Sequence, residues 1–295
     1  MQANRRKHPI SKKSMRRRRR RSRLMKSVEF LIGCAITIAI LRIAVPDMPE
    51  LLAPELFQTW QEQGKPLIVN AHDNLSVQKT DSAELDWLEE HIGSFNGLSL
   101  ERVKKNAGLV HFLYCYGTGN YSTDEDTLLS EDELADGIPL LMQWDSRWGY
   151  DAYGDSVTGL DGCGPTCLAM VCSGLKHDAS ITPRMVARYA MEHDYYMEGT
   201  GTKWSLIPEG AEAFGINAQQ IDTSEAAIHE ALSQGQPVIV NVGEGHFTGS
   251  GHFLVLCGEK KGKYIIHDPN SIENSSKLWK YDTFGGEIRA AWKLG

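Results

Sequence analysis

The sequence predicts an α+β domain over residues 138–295, with helices first and an antiparallel sheet after them. Two observations support this fold class. Apolar residues recur at helical spacing in the first half of the region, and short apolar runs separated by turn signals fill the second half. Helices and strands that occupy separate parts of a chain are typical of the α+β class.

Glycine, proline and capping residues mark the predicted helices. A helix is expected from about 164 to 175, directly after Gly162. A second begins at Thr182-Pro183, where a capping threonine precedes a proline suited to the first turn. Further helices are expected over 203–214 and 224–234, each followed by a glycine that can end it. The second helix is expected to bury four side chains, Met185, Val186, Tyr189 and Ala190.

The predicted strands follow these helices along the chain. They cover 216–221, 237–242, 252–258 and 263–267, and the segment 287–294 is expected to close the sheet.

Residues 46–137, upstream of the predicted domain, are interpreted as a stalk or linker with short helices and no assigned function. Helices are expected over 82–92 and 99–105, and the apolar run 109–116 is interpreted as a strand. Residues 122–136 are acidic and are interpreted as a partly helical linker.

The N-terminal segment combines strong basic charge with an apolar stretch. Residues 1–26 contain 13 Lys and Arg and no Asp or Glu, and residues 28–45 are apolar apart from three residues. Positive residues before an apolar segment stay on the cytoplasmic side of a membrane. We therefore predict a basic cytoplasmic head (1–26), a transmembrane signal anchor (27–45) and an extracytoplasmic body on a single-pass membrane protein. The alternative is a cleaved signal peptide and secretion.

Beyond position 26 the chain is strongly acidic. This part holds 18 basic and 38 acidic residues, a balance of −20 within a total of −7. Because phosphate contacts dominate affinity for nucleic acids, an acidic body excludes nucleic acid as an expected partner.

The most informative motif runs from Asp161 to Cys167 and places Cys163 at the start of a helix. Pro165 suits the first helical turn, and Gly162 and Gly164 allow a sharp turn and leave the approach to Cys163 open. The positive end of a helix dipole favours a thiolate, the form in which cysteine is a nucleophile. Cys163 is therefore the candidate nucleophile.

A predicted hairpin supplies a base and a group to orient it. His252 opens one strand and Asp268 follows the next, and folding the chain about Lys260 places residue 252 nearly opposite residue 268. Directly opposed side chains lie about 5 Å apart, within reach of a His–carboxylate hydrogen bond. Asp268 would fix the tautomer of His252, which would take the proton from Cys163.

A fourth candidate, Gln143, lies 20 residues before Cys163. Its side-chain amide could join the Cys163 backbone N–H in stabilising a tetrahedral oxyanion.

These motifs, in this order, resemble the papain-like cysteine peptidases related to the bacteriocin-processing, or double-glycine leader, peptidases. In particular they resemble the stand-alone, secreted or membrane-anchored branch of Gram-positive bacteria. The resemblance covers about residues 138–294. It rests on Gln143-Trp144-Asp145 with Trp148-Gly149, on Gly162-Cys163-Gly164-Pro165-Thr166, on Gly251-His252-Phe253 and on Asp268-Pro269.

The resemblance implies a papain-like fold and a peptide or protein substrate cleaved through a thioacyl-enzyme. It implies Cys163 as nucleophile, His252 as base, Asp268 as its orienting group and Gln143 as oxyanion donor. Leader peptidases of this family are typically fused to an exporter, which this sequence lacks. We therefore expect peptidase activity rather than double-glycine specificity.

Other functions stay open on the sequence alone. The same triad could serve a cell-wall peptide amidase or a γ-glutamyl transferase, and a papain-like scaffold could also be a non-catalytic surface binding module. No cofactor and no metal is expected, because glycines rather than further ligands surround His246 and His252. Cys167 and Cys172 are expected in the core or in a disulfide.

Overall fold

The structure is a computed structural model that describes residues 82–95, 98, 100–104, 106–123 and 127–295. Its α-helices are α1 (Ser82–His91), α2 (Leu100–Val103), α3 (Ala107–Thr118), α4 (Glu131–Leu134), α5 (Thr158–Asp161), α6 (Cys163–Lys176), α7 (Pro183–Glu192), α8 (Ala211–Ala213), α9 (Glu225–Ser233), α10 (Ile272–Ser275) and α11 (Tyr281–Phe284). Short 3-10 turns lie at Ile92–Ser94 and Gly285–Glu287, and a π-helical turn at Leu206–Gly210 leads into α8.

The strands lie mainly in the second half of the described chain. They are β1 (Ala152–Tyr153), β2 (Ser156–Val157), β3 (Tyr196–Met197), β4 (Gly201–Thr202), β5 (Ala218–Ile221), β6 (Val238–Val242), β7 (His252–Lys260), β8 (Lys263–His267), β9 (Leu278–Trp279) and β10 (Ile288–Leu294). The short strands β1–β2 and β3–β4 pair as two separate ribbons. The other six form one antiparallel sheet in the order β5-β10-β6-β7-β8-β9. Helices followed by an antiparallel sheet confirm the predicted α+β class.

Helices cover both faces of the six-stranded sheet. On one face, α6 and α7 pack against alternate residues of the central strands, including Ile239 and Val255. On the other face, α9 and α11 pack against the intervening residues, including Val240 and Leu254. Every residue of β6 is buried because this central strand is covered on both sides.

Most predicted elements of the domain are confirmed to within a few residues at their ends. The helix after Gly162 is α6, and the helix at Thr182-Pro183 is α7, whose first turn Thr182 caps by accepting the Met185 N–H at 3.2 Å. The expected helix over 203–214 is instead the π-helical turn and the three-residue α8.

The expectation that Met185 points inward is wrong. Val186 and Ala190 are buried, but the Met185 side chain is 41% exposed. The buried face of α7 also includes Arg184, whose guanidinium donates to the Asp151 carboxylate. This ion pair holds Arg184 on the buried face, and Met185 lies beside that face rather than on it.

The interpretation of 109–116 as a strand is also wrong, because these residues lie within α3. A short apolar run without polar alternation fits a buried helix as well as a buried strand. The buried residues of the run recur at helical spacing, namely Leu109, Val110, Phe112 and Leu113. Gly119, in a left-handed conformation, ends the helix.

The described helices upstream of residue 138 are packed rather than extended. α1 and α3 share a hydrophobic core with Met142, Trp144 and Tyr150. All described residues belong to one compact unit. The described residues upstream of 138 therefore share hydrophobic packing with the residues that directly follow it.

The predicted basic head (1–26) and signal anchor (27–45) lie outside the described residues. Within the part of the chain that is described, no helix is both long enough and apolar enough to cross a membrane.

Candidate active site

Cys163 is the first residue of α6, and its side chain is half-buried. Gly162 precedes it in a turn so tight that a Cβ atom there would lie 2.4 Å from the backbone oxygen of Thr158. Pro165 occupies the first turn, where its missing N–H costs nothing. The sequence therefore places the thiol at the positive end of a fourteen-residue helix.

A β-ribbon packs over the start of α6. A Cβ atom on Gly164 would lie 2.7 Å from Thr202 Cγ2, so this glycine is required by the close approach of β4. Thr202 in turn pairs with the buried Tyr153, the two hydroxyl oxygens lying 2.8 Å apart. Gly164 was expected to leave the approach to Cys163 open, whereas in the structure the ribbon covers Gly164.

His252 and Asp268 meet as predicted. His252 is the first residue of β7, and Asp268 directly follows β8. The Nε2 atom of His252 donates to Asp268 Oδ1 over 2.8 Å, and both side chains are buried. This hydrogen bond leaves Nδ1 as the ring nitrogen available to Cys163.

The register that brings them together differs from the prediction. Val255 pairs with His267, and continuing that register by one residue places Leu254 opposite Asp268. His252 and Asp268 are therefore diagonal neighbours, which remain within reach of long side chains.

A β-bulge makes this diagonal contact possible. Lys260 pairs with Lys263 at the turn, but Cys257 is an extra residue between the Leu256 and Gly258 pairs. Without the bulge, the turn register would place Asp268 opposite Val255 and turn its side chain away from His252.

Two further groups orient the Asp268 carboxylate. The Asn270 N–H donates to Oδ1 over 2.9 Å, and Asn274 Nδ2 donates to Oδ2 over 2.8 Å. Asn274 lies on α10, whose first turn is capped by Ser271. Asn274 is not among the site residues predicted from the sequence; the one signal for it is the turn-and-cap pattern Asp268-Pro269-Asn270-Ser271.

The electrostatics of His252 favour the imidazolium form. Burial alone lowers the pKa of His252, but the charge and hydrogen bond of Asp268, with a smaller effect of Cys163, raise it to about 10. An imidazolium between a carboxylate and a cysteine can stabilise a thiolate at neutral pH.

His267, one residue before Asp268, has the opposite character. Burial lowers the pKa of His267 to about 4, only partly offset by the hydrogen bond to the Pro139 carbonyl oxygen at 3.1 Å. A buried neutral imidazole of this kind is a packing residue rather than a base.

The Gln143 side chain is buried and both of its N–H groups are occupied. Nε2 donates to the carbonyl oxygens of Gly159 and Leu160, each at 3.0 Å, while Oε1 has no partner. Its backbone N–H donates to Pro269 O over 2.8 Å. Gln143 therefore lies between the turn that leads to Cys163 and the loop that carries Asp268.

The five cysteines of the described chain are free thiols. Near the site, Cys167 is buried and Cys257 is half-buried, and desolvation raises the pKa of each. Among the described residues, no group of three or more His, Cys, Asp or Glu side chains is arranged to hold a metal ion. His246 instead pairs with the Glu287 carboxylate.

A helix-borne cysteine beside a buried His–Asp pair at the end of an antiparallel sheet is the arrangement of a cysteine peptidase. The chain belongs to the Peptidase_C39 like family, whose profile matches residues 135–294. The predicted relationship to bacteriocin-processing cysteine peptidases is thereby confirmed.

Solved peptidase domains are similar to this chain. The peptidase domain of Streptococcus ComA, described as a bi-functional ABC transporter involved in quorum sensing, is 25% identical over 46% of this chain and 91% of its own, with a TM-score of 0.36. A C39-like peptidase from Bacillus anthracis is 14% identical over 58% of this chain and 98% of its own, with a TM-score of 0.37. No curated protein sequence matches.

Proposed function

We propose that this cysteine peptidase hydrolyses amide bonds through a thioacyl intermediate on Cys163. His252 donates a proton to the leaving amine and accepts one from water, and Asp268 holds the imidazole in place. The observation that carries this proposal is the buried 2.8 Å hydrogen bond between His252 Nε2 and Asp268 Oδ1, which fixes the ring beside the helix that begins with Cys163.

The chemistry follows from these positions. The Cys163 thiolate attacks the carbonyl carbon, and His252 gives its proton to the leaving amine as the thioester forms. His252 then takes a proton from water, which attacks the thioester and releases the acid and the Cys163 thiolate, so that the thiolate–imidazolium pair is restored. Asp268 stays ionised and stabilises the imidazolium in both steps.

The oxyanion is stabilised by the backbone N–H of Cys163, one of the N–H groups that a helix start leaves without an intrahelical partner. Gln143 is the second donor in this proposal. When substrate binds, Gln143 Nε2 gives up its hydrogen bond to the carbonyl oxygen of Gly159 or Leu160 and donates to the substrate oxygen instead.

Labelling with a thiol-directed acylating probe tests the nucleophile. We expect Cys163→Ala to abolish labelling. We expect Cys172→Ala to leave it unchanged, because Cys172 is a buried thiol of the same helix whose pKa is raised by burial to about 12. Equal labelling of Cys163→Ala and the wild type would contradict the proposal.

The substrate class is proposed as peptide or protein. Unstructured polypeptides and peptidoglycan fragments are supplied separately. Cleavage of the polypeptides indicates a peptidase, and cleavage of the fragments alone indicates a cell-wall amidase. Formation of a product with an added amine acceptor indicates γ-glutamyl transfer. Tight binding of a wall polymer without turnover would favour a binding module.

We also propose a single-pass anchor over 27–45 with the catalytic domain outside the cytoplasmic membrane. The 13 basic residues before an apolar segment support this orientation. Retention in the membrane after alkaline extraction, together with digestion of the body by external protease, is the expected result. Release of the intact chain by alkali would contradict an anchor, and a shortened chain in the medium would indicate signal cleavage.

A further inference from the structure

A hydrogen bond joins the upstream helices to the loop that carries Asp268. Asn106 Nδ2 donates to the backbone oxygen of Asn270 over 2.5 Å, although the two residues are 164 positions apart. The same oxygen accepts the indole N–H of Trp144 over 3.3 Å. Asn106 lies outside the family-matched residues 135–294.

The side chain of Asn106 does not cap the helix that it precedes. Asn106 is the N-cap residue of α3, where an asparagine side chain ordinarily accepts a backbone N–H of the first turn. It makes no such bond and is 92% buried, with its amide directed to Asn270 instead. The contact therefore replaces the capping role.

The peptide groups of this loop connect Asn106 to the catalytic pair. The Asn270 N–H donates to Asp268 Oδ1, the same oxygen that accepts His252 Nε2. Pro269 lies between them with its oxygen bound by the Gln143 N–H. The orientation of the Asn270 backbone thus helps to set the position of Asp268 Oδ1, the oxygen that holds His252.

The start of α3 packs closely against Trp144, the second donor to the Asn270 oxygen. A Cβ atom on Gly108 would lie 2.2 Å from the Trp144 ring, so this helical glycine is required by the close contact. The Trp144 indole also bonds Asn270. Asn106 at the start of α3 and Trp144 packed beside it therefore donate to the same Asn270 oxygen.

We propose that Asn106 is a positioning residue for the peptidase reaction, acting through Asn270 on Asp268. The helix that precedes the family-matched domain is then part of the machinery that orients the catalytic histidine. This inference rests on the proposed roles of His252 and Asp268.

The test uses the full chain and the rate of Cys163 alkylation by iodoacetamide on the acid side of its pH profile. We expect Asn106→Ser to slow alkylation about fivefold, the equivalent of one ordinary hydrogen bond, because weaker support of the imidazolium disfavours the thiolate. A serine at this position can accept an N–H of the first helical turn, so the start of α3 is not weakened by the loss of the amide. Asn106→Asp is a second good cap that places an oxygen against the Asn270 oxygen, and we expect a larger loss.

The matched control is Thr118→Ala, which removes a hydrogen bond to Tyr114 O at the other end of α3. We expect its alkylation profile to equal the wild type. Unchanged profiles for both Asn106 variants would overturn the proposal.

A double-mutant cycle separates positioning from general destabilisation. If Asn106 acts through Asp268, Asn106→Ser has no further effect in an Asp268→Asn background. The same fivefold loss in both backgrounds would overturn the role of Asn106. No effect of Asp268→Asn alone would instead contradict the proposed triad.

Discussion

At the scale of single residues, three hydrogen-bond donors hold the Asp268 carboxylate. Oδ1 accepts from His252 and the Asn270 N–H, and Oδ2 accepts from Asn274. Hydrogen bonds to a carboxylate group are stronger than bonds between neutral groups, so this set of donors fixes the orientation of Asp268. Burial lowers the pKa of His252, but the charge of Asp268 and its hydrogen bond raise it above the ordinary value.

Removing one of these donors should weaken the site without abolishing it. We expect Asn274→Ala to lower peptidase activity by roughly three- to tenfold, because a charge-assisted hydrogen bond contributes about 1.5–3 kcal/mol, part of which neighbouring donors and water restore. The control is Lys277→Ala, which removes an exposed contact to Glu273 just beyond α10. Equal activity of both variants and the wild type would contradict a role for Asn274.

At this scale, the sequence predicted the catalytic groups but not the residues whose hydrogen bonds hold them in position. Cys163, His252 and Asp268 belong to motifs in which glycine, proline or strand ends restrict the geometry. Asn106 and Asn274 are polar residues without a spacing that marks them, and Asn106 acts across 164 positions. Such contacts depend on tertiary packing and leave no local pattern.

At the scale of elements, the hairpin shows how a wrong register still gave the right pair. The prediction assumed a regular ladder about Lys260, whereas Cys257 is bulged and the register shifts there. The offset between predicted and observed partners is two residues, which preserves the alternation of side chains. An error of one residue would have separated His252 from Asp268.

The contact between α6 and the β3–β4 ribbon gives a second prediction. Gly164→Ala places a methyl group 2.7 Å from Thr202 Cγ2, so we expect a loss of about 1–3 kcal/mol in the free energy of unfolding. Activity should fall as well, because the ribbon lies over the helix start. Gly93→Ala adds a methyl group where nothing lies within 4 Å, and we expect a change below about 0.5 kcal/mol.

Urea denaturation and peptidase assays of the two glycine variants check this prediction. If Gly164→Ala were as stable and active as Gly93→Ala, the ribbon would not be packed against α6 as described.

At the scale of the whole molecule, two buried histidines predict how stability depends on pH. The pKa of His252 is raised to about 10, so its contribution is complete below the unfolded value near 6.5 and is lost as pH rises through 10. The pKa of His267 is lowered to about 4, so its neutral burial is favourable above 6.5 and becomes costly as pH falls toward 4.

The two histidines together favour a maximum of stability near pH 6.5. Urea midpoints at pH 5, 6.5 and 9 should therefore be highest at the middle value. In His267→Gln, the decrease of the urea midpoint between pH 6.5 and pH 5 should be smaller, and the decrease toward pH 9 should be unchanged. A midpoint that rises steadily from pH 5 to 9 would contradict these opposite environments.

The proposed mechanism requires that Cys163 and His252 form a thiolate–imidazolium pair held by Asp268. The most direct test is the pH dependence of iodoacetamide alkylation at Cys163, read by mass spectrometry, in the wild type and in His252→Ala. We predict fast alkylation well below the ordinary thiol pKa of about 8.5 in the wild type, and its loss in the variant. Slow alkylation that follows an ordinary thiol titration in both proteins would contradict the claim.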